Sequence, residues 1–186
     1  MAKVIAAINM TIDGICDHTV GIPDEALHQH YANLLDNGAV ALYGRTTYQL
    51  MQFWQTLLDK PSGEKAMDDF AKSIDRIPKI VFSNTMQNTE WETATLATSD
   101  LENTIVHLKQ QHTKDILIGS RSLIIQLLNL RLIDEFQLCI HPLLEGKGLP
   151  LFDQITDRTY FKLNNTKVFD SGAIVLYYNL NVSSIS

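Results

Sequence analysis

Short apolar runs alternate with stretches of helical spacing along the first two thirds of the chain. The runs at residues 4–8, 39–43, 79–82 and 115–118 are mainly apolar, which is typical of strands that are buried on both faces of a sheet. The stretches between them carry apolar residues three and four positions apart, which predicts helices at 23–38, 45–58, 64–75, 99–112 and 120–130. This alternation of strand and helix favours a parallel sheet.

Residues at the ends of these stretches support the helix boundaries. Pro23 stands at a helix start with Asp24 and Glu25 in the first turn, and Gly38 is placed as its C-terminal cap. The sequence Ser99-Asp-Leu-Glu102 has the form of a capping box, which predicts that the next helix begins there.

The pattern changes after Arg131. Residues 135–140 alternate between polar and apolar side chains, and two further strands at about 160–169 and 173–180 flank a turn at 170–172. The sequence therefore predicts an α/β fold in three layers: a mixed, mainly parallel sheet, helices on both faces and a C-terminal antiparallel hairpin. Without a linker-like segment or internal repeat, residues 1–186 are expected to form a single domain.

Composition and charge narrow the classes of protein. The chain has 186 residues, of which 45% are hydrophobic and 19% charged, as in soluble globular proteins. The net charge of −6 argues against a nucleic acid or an acidic membrane as partner. Apolar stretches stay well short of the ~18 residues that span a bilayer, and no signal peptide is apparent, so we expect a cytoplasmic protein. Cys16 and Cys139 lack metal-ligand spacing, so we expect reduced cysteines and no metal site.

Small polar residues follow three of the predicted strands. The turns are Gly44-Arg-Thr-Thr47, Ser83-Asn84 and Gly119-Ser-Arg-Ser122, and two of them open directly into a helix. Free N–H groups and the positive dipole end at a helix start favour an anion. An arginine in a first helical turn is electrostatically unfavourable unless an anion offsets it, and Arg45 and Arg121 both occupy such positions. Two such turns could hold the two ends of one dinucleotide.

Four ordered motifs carry a family resemblance: residues 9–14 (NMTIDG), 43–48 (YGRTTY), 118–122 (IGSRS) and 132–136 (LIDEF), the last followed by PLLEGKG at 142–148 and Leu151-Phe152. The chain resembles the dihydrofolate reductase-like superfamily. Within it, the chain is most similar to the C-terminal reductase domain of riboflavin biosynthesis (RibD C-terminal-like) and its stand-alone relatives.

The resemblance implies binding of NADPH along the strand ends, with the pyrophosphate near the helix starts. Implied cofactor-binding residues are Ala7, Gly44, Arg45, Thr46, Thr47, Ser83, Asn84, Gly119, Ser120, Arg121 and Ser122. Implied substrate-binding residues are Asn9, Asp13, His28 and Tyr31. Relatives in this branch are commonly homodimers, and we expect a dimer built partly from residues 136–140 and 174–178.

Two departures from dihydrofolate reductases proper affect the expected substrate. Ser120 follows Gly119 where those enzymes carry consecutive glycines. A gapless count places His28 where they carry the pterin-binding acid, and an imidazole cannot offer a carboxylate's paired acceptor oxygens. We therefore expect dihydrofolate to be a poor substrate.

Asp13 is the candidate catalytic residue. It matches the acid that lines the substrate end of the cleft in this branch, although an Asp-Gly pair can also serve only to form a turn. The favoured function is an NADPH-dependent reductase of a small heterocycle, most like 5-amino-6-(5-phosphoribosylamino)uracil reductase or a stand-alone relative. A dihydrofolate or pterin reductase and a non-catalytic ligand-binding module are the alternatives.

Overall fold

One eight-stranded sheet forms the middle layer of the protein. The computed structural model describes residues 2–180. The strands are β1 (Val4–Thr11), β2 (Gly38–Gly44), β3 (Lys79–Phe82), β4 (Ala94–Leu96), β5 (Asp115–Ile118), β6 (Glu135–His141), β7 (Phe161–Val168) and β8 (Ile174–Leu180). Their order is β4-β3-β2-β5-β1-β6-β8-β7. The first six in this order run parallel, and β8 pairs antiparallel with both β6 and β7. The predicted mixed sheet with a C-terminal hairpin is confirmed.

The helices follow the predicted order with small differences in their bounds. They are α1 (Glu25–Asn37), α2 (Arg45–Met51), α3 (Thr56–Asp59), α4 (Lys65–Arg76), α5 (Leu101–Gln111) and α6 (Arg121–Asn129). The single helix predicted at 45–58 is divided into α2 and α3 by a 3₁₀ turn. Asp100 rather than Ser99 caps α5, and its carboxylate accepts a hydrogen bond from the Asn103 backbone N–H. Within residues 2–180, no helix has the length and apolarity needed to cross a membrane.

Helices cover both faces of the sheet because strand side chains alternate between the faces. Ile116 and Ile118 pack in one cluster with residues of α5 and α6, whereas Leu117 packs in another with residues of α1, α2 and α4. Each fully buried Leu or Ile contributes roughly 1.5–3 kcal/mol, so the two clusters hold the strand ends in fixed positions.

Gly38 ends α1 as predicted, but for a different reason from the one expected. Its φ of −75° lies outside the left-handed region that usually favours glycine at a helix end. A Cβ atom there would lie 2.6 Å from Cδ1 of Leu117, so only glycine allows α1 to turn closely into β2.

The exposed edge of the sheet is β7. Residues 136–140 and 174–178, from which a dimer is expected, do not form an exposed edge. They lie in β6 and β8, each of which is paired on both sides. Nearly every residue of β7 is exposed, including Leu163 (49%) and Val168 (69%). The homodimer stays a prediction, and among the three C-terminal strands β7 is the one with an unpaired edge within the described residues.

Candidate active site

Three predicted turns meet at one edge of the sheet. β3, β2 and β5 are parallel neighbours, so their carboxyl ends bring the turns after them side by side, as in other open α/β sheets. They border a cavity of about 770 Å³, which we call the polar cavity. It is lined by Gly44, Arg45, Thr46, Thr47, residues 82–85, residues 97–101, Ser122, Leu123 and Gln126. Its size is that of a small-molecule or cofactor site.

Ser120 joins two of the turns to each other. Its buried Oγ accepts a hydrogen bond from the backbone N–H of Gly44 at 2.8 Å. A Cβ atom on Gly44 would lie 3.1 Å from Oγ of Ser122, so glycine allows the turns to approach closely. Ser120 does not line the polar cavity, so the expected direct contact between Ser120 and the cofactor stays a prediction without geometric support.

The two arginines of these turns have different surroundings. Arg45 lines the polar cavity and is exposed, and its Nη1 donates to Oγ1 of Thr85 at 2.8 Å. Arg121 lies outside the cavity: its Nε donates to the carbonyl oxygen of Pro150 at 2.7 Å, and its guanidinium pairs with Asp153. Asp153 is the anion that offsets the charge of Arg121 in this structure, and the phosphate-binding role expected of Arg121 stays a prediction without geometric support.

The start of α6 offers backbone donors to the polar cavity. Ser120 occupies the N-cap position but makes no side-chain capping bond to α6, because its hydroxyl is bonded to Gly44. Ser122 and Leu123, in the first turn of α6, line the cavity. The start of α5 differs, because the Asp100 carboxylate occupies it. The hydrogen bond from the Asn103 backbone N–H lowers the pKa of Asp100 and keeps it charged, so an anion is favoured at α6 rather than at α5.

A second, smaller cavity lies between the sheet and the helices α1, α2 and α4. This apolar cavity has a volume of about 160 Å³, and its side chains include Leu34, Leu35, Met51, Phe70 and Ile74. Ala7, in the middle of β1, and Gly119, directly after β5, are predicted as cofactor contacts and line this cavity. Thr47 lines both cavities, so the two are adjacent.

Asn9 and Tyr31 line the apolar cavity, where the resemblance placed the substrate. Oδ1 of Asn9 accepts from the Tyr31 hydroxyl at 3.0 Å and contacts Nε2 of the buried His141 at 3.1 Å. Nδ1 of His141 accepts a hydrogen bond from the Ile22 backbone N–H. Nε2 therefore carries the ring proton and donates a hydrogen bond to Oδ1 of Asn9. These bonds orient the amide of Asn9 and leave its nitrogen without a partner among residues 2–180.

Tyr43 is a residue of this site that the sequence reasoning missed. It lines the apolar cavity beside Gly119, is 5% exposed, and its hydroxyl makes no hydrogen bond within the described part of the chain. Burial raises the pKa of Tyr43, so the hydroxyl stays protonated and can donate a hydrogen bond. The sequence feature that could have indicated Tyr43 is its hydroxyl group at the end of the apolar run 39–43, directly before the Gly44 turn.

His28 does not reach either cavity. Its ring packs edge-on against Trp54 with 5.9 Å between centroids and lies 6.3 Å from the ring of Phe70. Burial lowers the pKa of His28 and favours the neutral imidazole. The observed contacts of His28 are packing contacts between α1 and the residues beside it, and its substrate-binding role stays a prediction without geometric support.

Asp13 also lies outside both cavities, and it joins two loops. Its carboxylate accepts hydrogen bonds from the Thr11 hydroxyl and from the backbone N–H groups of Glu145 (3.2 Å) and Gly146 (2.7 Å). These bonds, with that from Thr11 first, lower the pKa of Asp13 to about 2. These bonds make Asp13 a tie between two distant loops rather than only a local turn former, and its catalytic role stays a prediction without geometric support.

Known proteins with the same architecture include several from riboflavin biosynthesis. The family described as "RibD C-terminal domain" matches residues 2–175. The Bacillus subtilis (strain 168) protein YyaP, described as uncharacterized, is 31% identical over 183 residues, covering 96% of this chain and 95% of YyaP.

Two solved structures show the same fold. A Shewanella sp. PV-4 protein provisionally assigned to riboflavin biosynthesis has a TM-score of 0.74 at 21% identity, covering 97% of this chain and 99% of the other. A Thermotoga maritima deaminase and 5-amino-6-(5-phosphoribosylamino)uracil reductase has a TM-score of 0.68 at 16% identity, covering 97% of this chain and 57% of the other. The match along nearly the whole sequence and the shared fold lead to one conclusion: the chain belongs to the RibD C-terminal domain family.

Proposed function

We propose that this protein is an NADPH-dependent reductase of a small molecule. The observation that carries the proposal is the pair of adjacent cavities at the carboxyl ends of β2, β3 and β5. The polar cavity has the size and the donors for a dinucleotide, and the apolar cavity next to it can hold a hydride acceptor. Family membership supports a reductase, because the Thermotoga relative carries that activity in its description.

The polar cavity fits the charge pattern of NADPH. Arg45 supplies a cation, and Thr46, Ser83, Asn84 and Thr85 supply hydroxyl and amide donors beside it. The first turn of α6 adds backbone N–H groups that no side chain of that helix caps. Arg45 is the residue that would meet the 2′-phosphate, and the other donors would hold the pyrophosphate.

When bound, NADPH supplies a hydride to the acceptor. The contribution of the chain is to hold the two reactants side by side and to exclude water. Gly119, after β5, and Ala7, within β1, lack bulky side chains, so a flat ring can approach the backbone there. Tyr43 and Asn9 orient the acceptor through hydrogen bonds, and the apolar side chains of α1 and α4 close the cavity on the helical side.

The test is a comparison of NADPH and NADH binding in wild type and Arg45→Gln by fluorescence titration. Charge-assisted contacts contribute about 1.5–3 kcal/mol each, so wild type should prefer NADPH by roughly tenfold or more. Arg45→Gln should remove most of that preference and leave NADH affinity nearly unchanged.

Arg121→Gln is the matched control, because Arg121 contacts Pro150 and Asp153 and not the polar cavity. It should retain the preference for NADPH. Equal affinity of wild type for the two cofactors, or no affinity for either, would contradict the proposal.

A further inference from the structure

The lining of the apolar cavity is uncharged. Among the described residues that form it, none is Lys, Arg, His, Asp or Glu. His141, which lies behind Asn9, is held neutral because its Nδ1 accepts the Ile22 N–H and burial lowers its pKa. An anionic group placed in this cavity would lose its hydration without gaining a cation.

The polar atoms that the cavity offers are hydrogen-bond donors. The Tyr43 hydroxyl makes no hydrogen bond within residues 2–180, and its pKa is raised by burial. The amide nitrogen of Asn9 is likewise without a described partner, because the bonds from Tyr31 and His141 occupy the oxygen of the same amide. Both donors call for an acceptor atom on the ligand.

The size of the cavity limits the part of the ligand that it can enclose. A volume of about 160 Å³ is close to the roughly 150 Å³ of an engineered apolar cavity that encloses benzene. Leu34, Leu35, Met51 and Phe70 give it apolar walls. A single flat ring satisfies both the volume and the walls.

We infer that the acceptor of this reductase is a small uncharged ring bearing a carbonyl oxygen or an imine nitrogen, which accepts hydrogen bonds from Tyr43 and Asn9. A phosphorylated ribosylaminopyrimidine, the kind of substrate named for the Thermotoga relative, fits this cavity less well, because the lining offers no cation for a phosphate. This inference rests on the proposed reductase function, because it takes the apolar cavity as the place of the acceptor.

Binding of duroquinone, measured without cofactor, tests the inference. Duroquinone is a neutral single ring with two carbonyl oxygens, and its four methyl groups prevent addition of cysteine thiols. Trp54 reports on the cavity because its ring packs 4.5 Å from that of Phe70, a lining residue, so tryptophan quenching and calorimetry can be compared. We expect duroquinone to bind, and 5-amino-6-(5-phosphoribosylamino)uracil to bind more weakly, because the lining offers its phosphate no cation.

Tyr43→Phe keeps the ring and removes the donor. Loss of one neutral hydrogen bond should weaken duroquinone binding roughly three- to tenfold. Tyr160→Phe is the matched control, because Tyr160 is 48% exposed and lines neither cavity. Its affinity for duroquinone should equal that of wild type.

Three results would overturn the inference: no binding of duroquinone, tighter binding of the phosphorylated pyrimidine, or equal affinity in wild type and Tyr43→Phe. NADPH titration of the same samples separates this failure from failure of the proposed function. Duroquinone binding without NADPH binding would leave the ligand class intact and refute the reductase. NADPH binding together with tighter binding of the phosphorylated pyrimidine would leave the reductase intact and refute the inferred ligand class.

Discussion

Replacing Ser120 with alanine leaves the backbone N–H of Gly44 without its hydrogen-bond acceptor. In the wild-type protein the Ser120 hydroxyl accepts that N–H at 2.8 Å, and Ser120 is 1% exposed. The bond spans 76 residues of sequence and joins the turn after β2 to the turn after β5, so its loss affects the tertiary structure rather than a local cap.

The expected cost is that of a partly buried hydrogen bond, because Gly44 lines the polar cavity. Such a bond contributes about 0.5–1.5 kcal/mol net. For a chain of this length, each kcal/mol lowers Tm by about 2–4 °C. Ser120→Ala should therefore lower the free energy of unfolding measurably while leaving the helices intact.

Urea unfolding followed by tryptophan fluorescence measures this change. Ser122→Ala is the matched control, because Ser122 lines the polar cavity and its hydroxyl makes no hydrogen bond within residues 2–180. The control should stay within about 0.5 kcal/mol of wild type. Equal stability of Ser120→Ala and Ser122→Ala, with unchanged m-values, would show that the Gly44 N–H does not depend on Ser120.

Three further predictions concern His30, Asp13 and the edge strand β7. Burial, aided by the charge of Lys167, lowers the pKa of His30 to about 4 from the usual 6.5. The unfolded chain thus binds the proton first, and stability should fall as the pH drops from 6.5 towards 4. The loss is about 1–2 kcal/mol after allowance for partial exposure. His30→Phe should reduce the dependence of the unfolding free energy on pH, whereas His107→Gln, at an exposed position, should not. An unchanged pH dependence in His30→Phe would show that His30 is not the group responsible. Asp13→Asn should speed hydrogen exchange at the Gly146 amide and leave NADPH affinity unchanged, whereas a lowered affinity would place Asp13 in the cofactor site. We expect a homodimer through β7, and Val168→Lys should weaken this dimer when it is measured by analytical sedimentation. A wild-type mass of 21.0 kDa at micromolar concentration would refute the dimer.

Much of the fold could be predicted from residue patterns because the relevant physics is local. A buried strand such as 115–118 and the helix after it are visible as a change in hydrophobic period, and Gly38 marks the end of α1. β4 was missed because it has three residues, too few for a period to be recognised. Its strand character depends on pairing with β3.

The roles of individual side chains depended on partners far away in sequence. Arg121 and Arg45 occupy equivalent positions at helix starts, yet Arg121 is neutralised by Asp153, 32 residues later, and Arg45 faces the polar cavity. Asp13 is bonded to Gly146, 133 residues away, and Tyr43 faces a cavity formed by packing of α1 and α4 against the sheet. Residue type limits which hydrogen bonds and ion pairs a side chain can form, but the packing of distant segments selects which of them form. For that reason the strand-end turns could be located along the chain, whereas which side chains line a cavity and which join two loops required the assembled sheet.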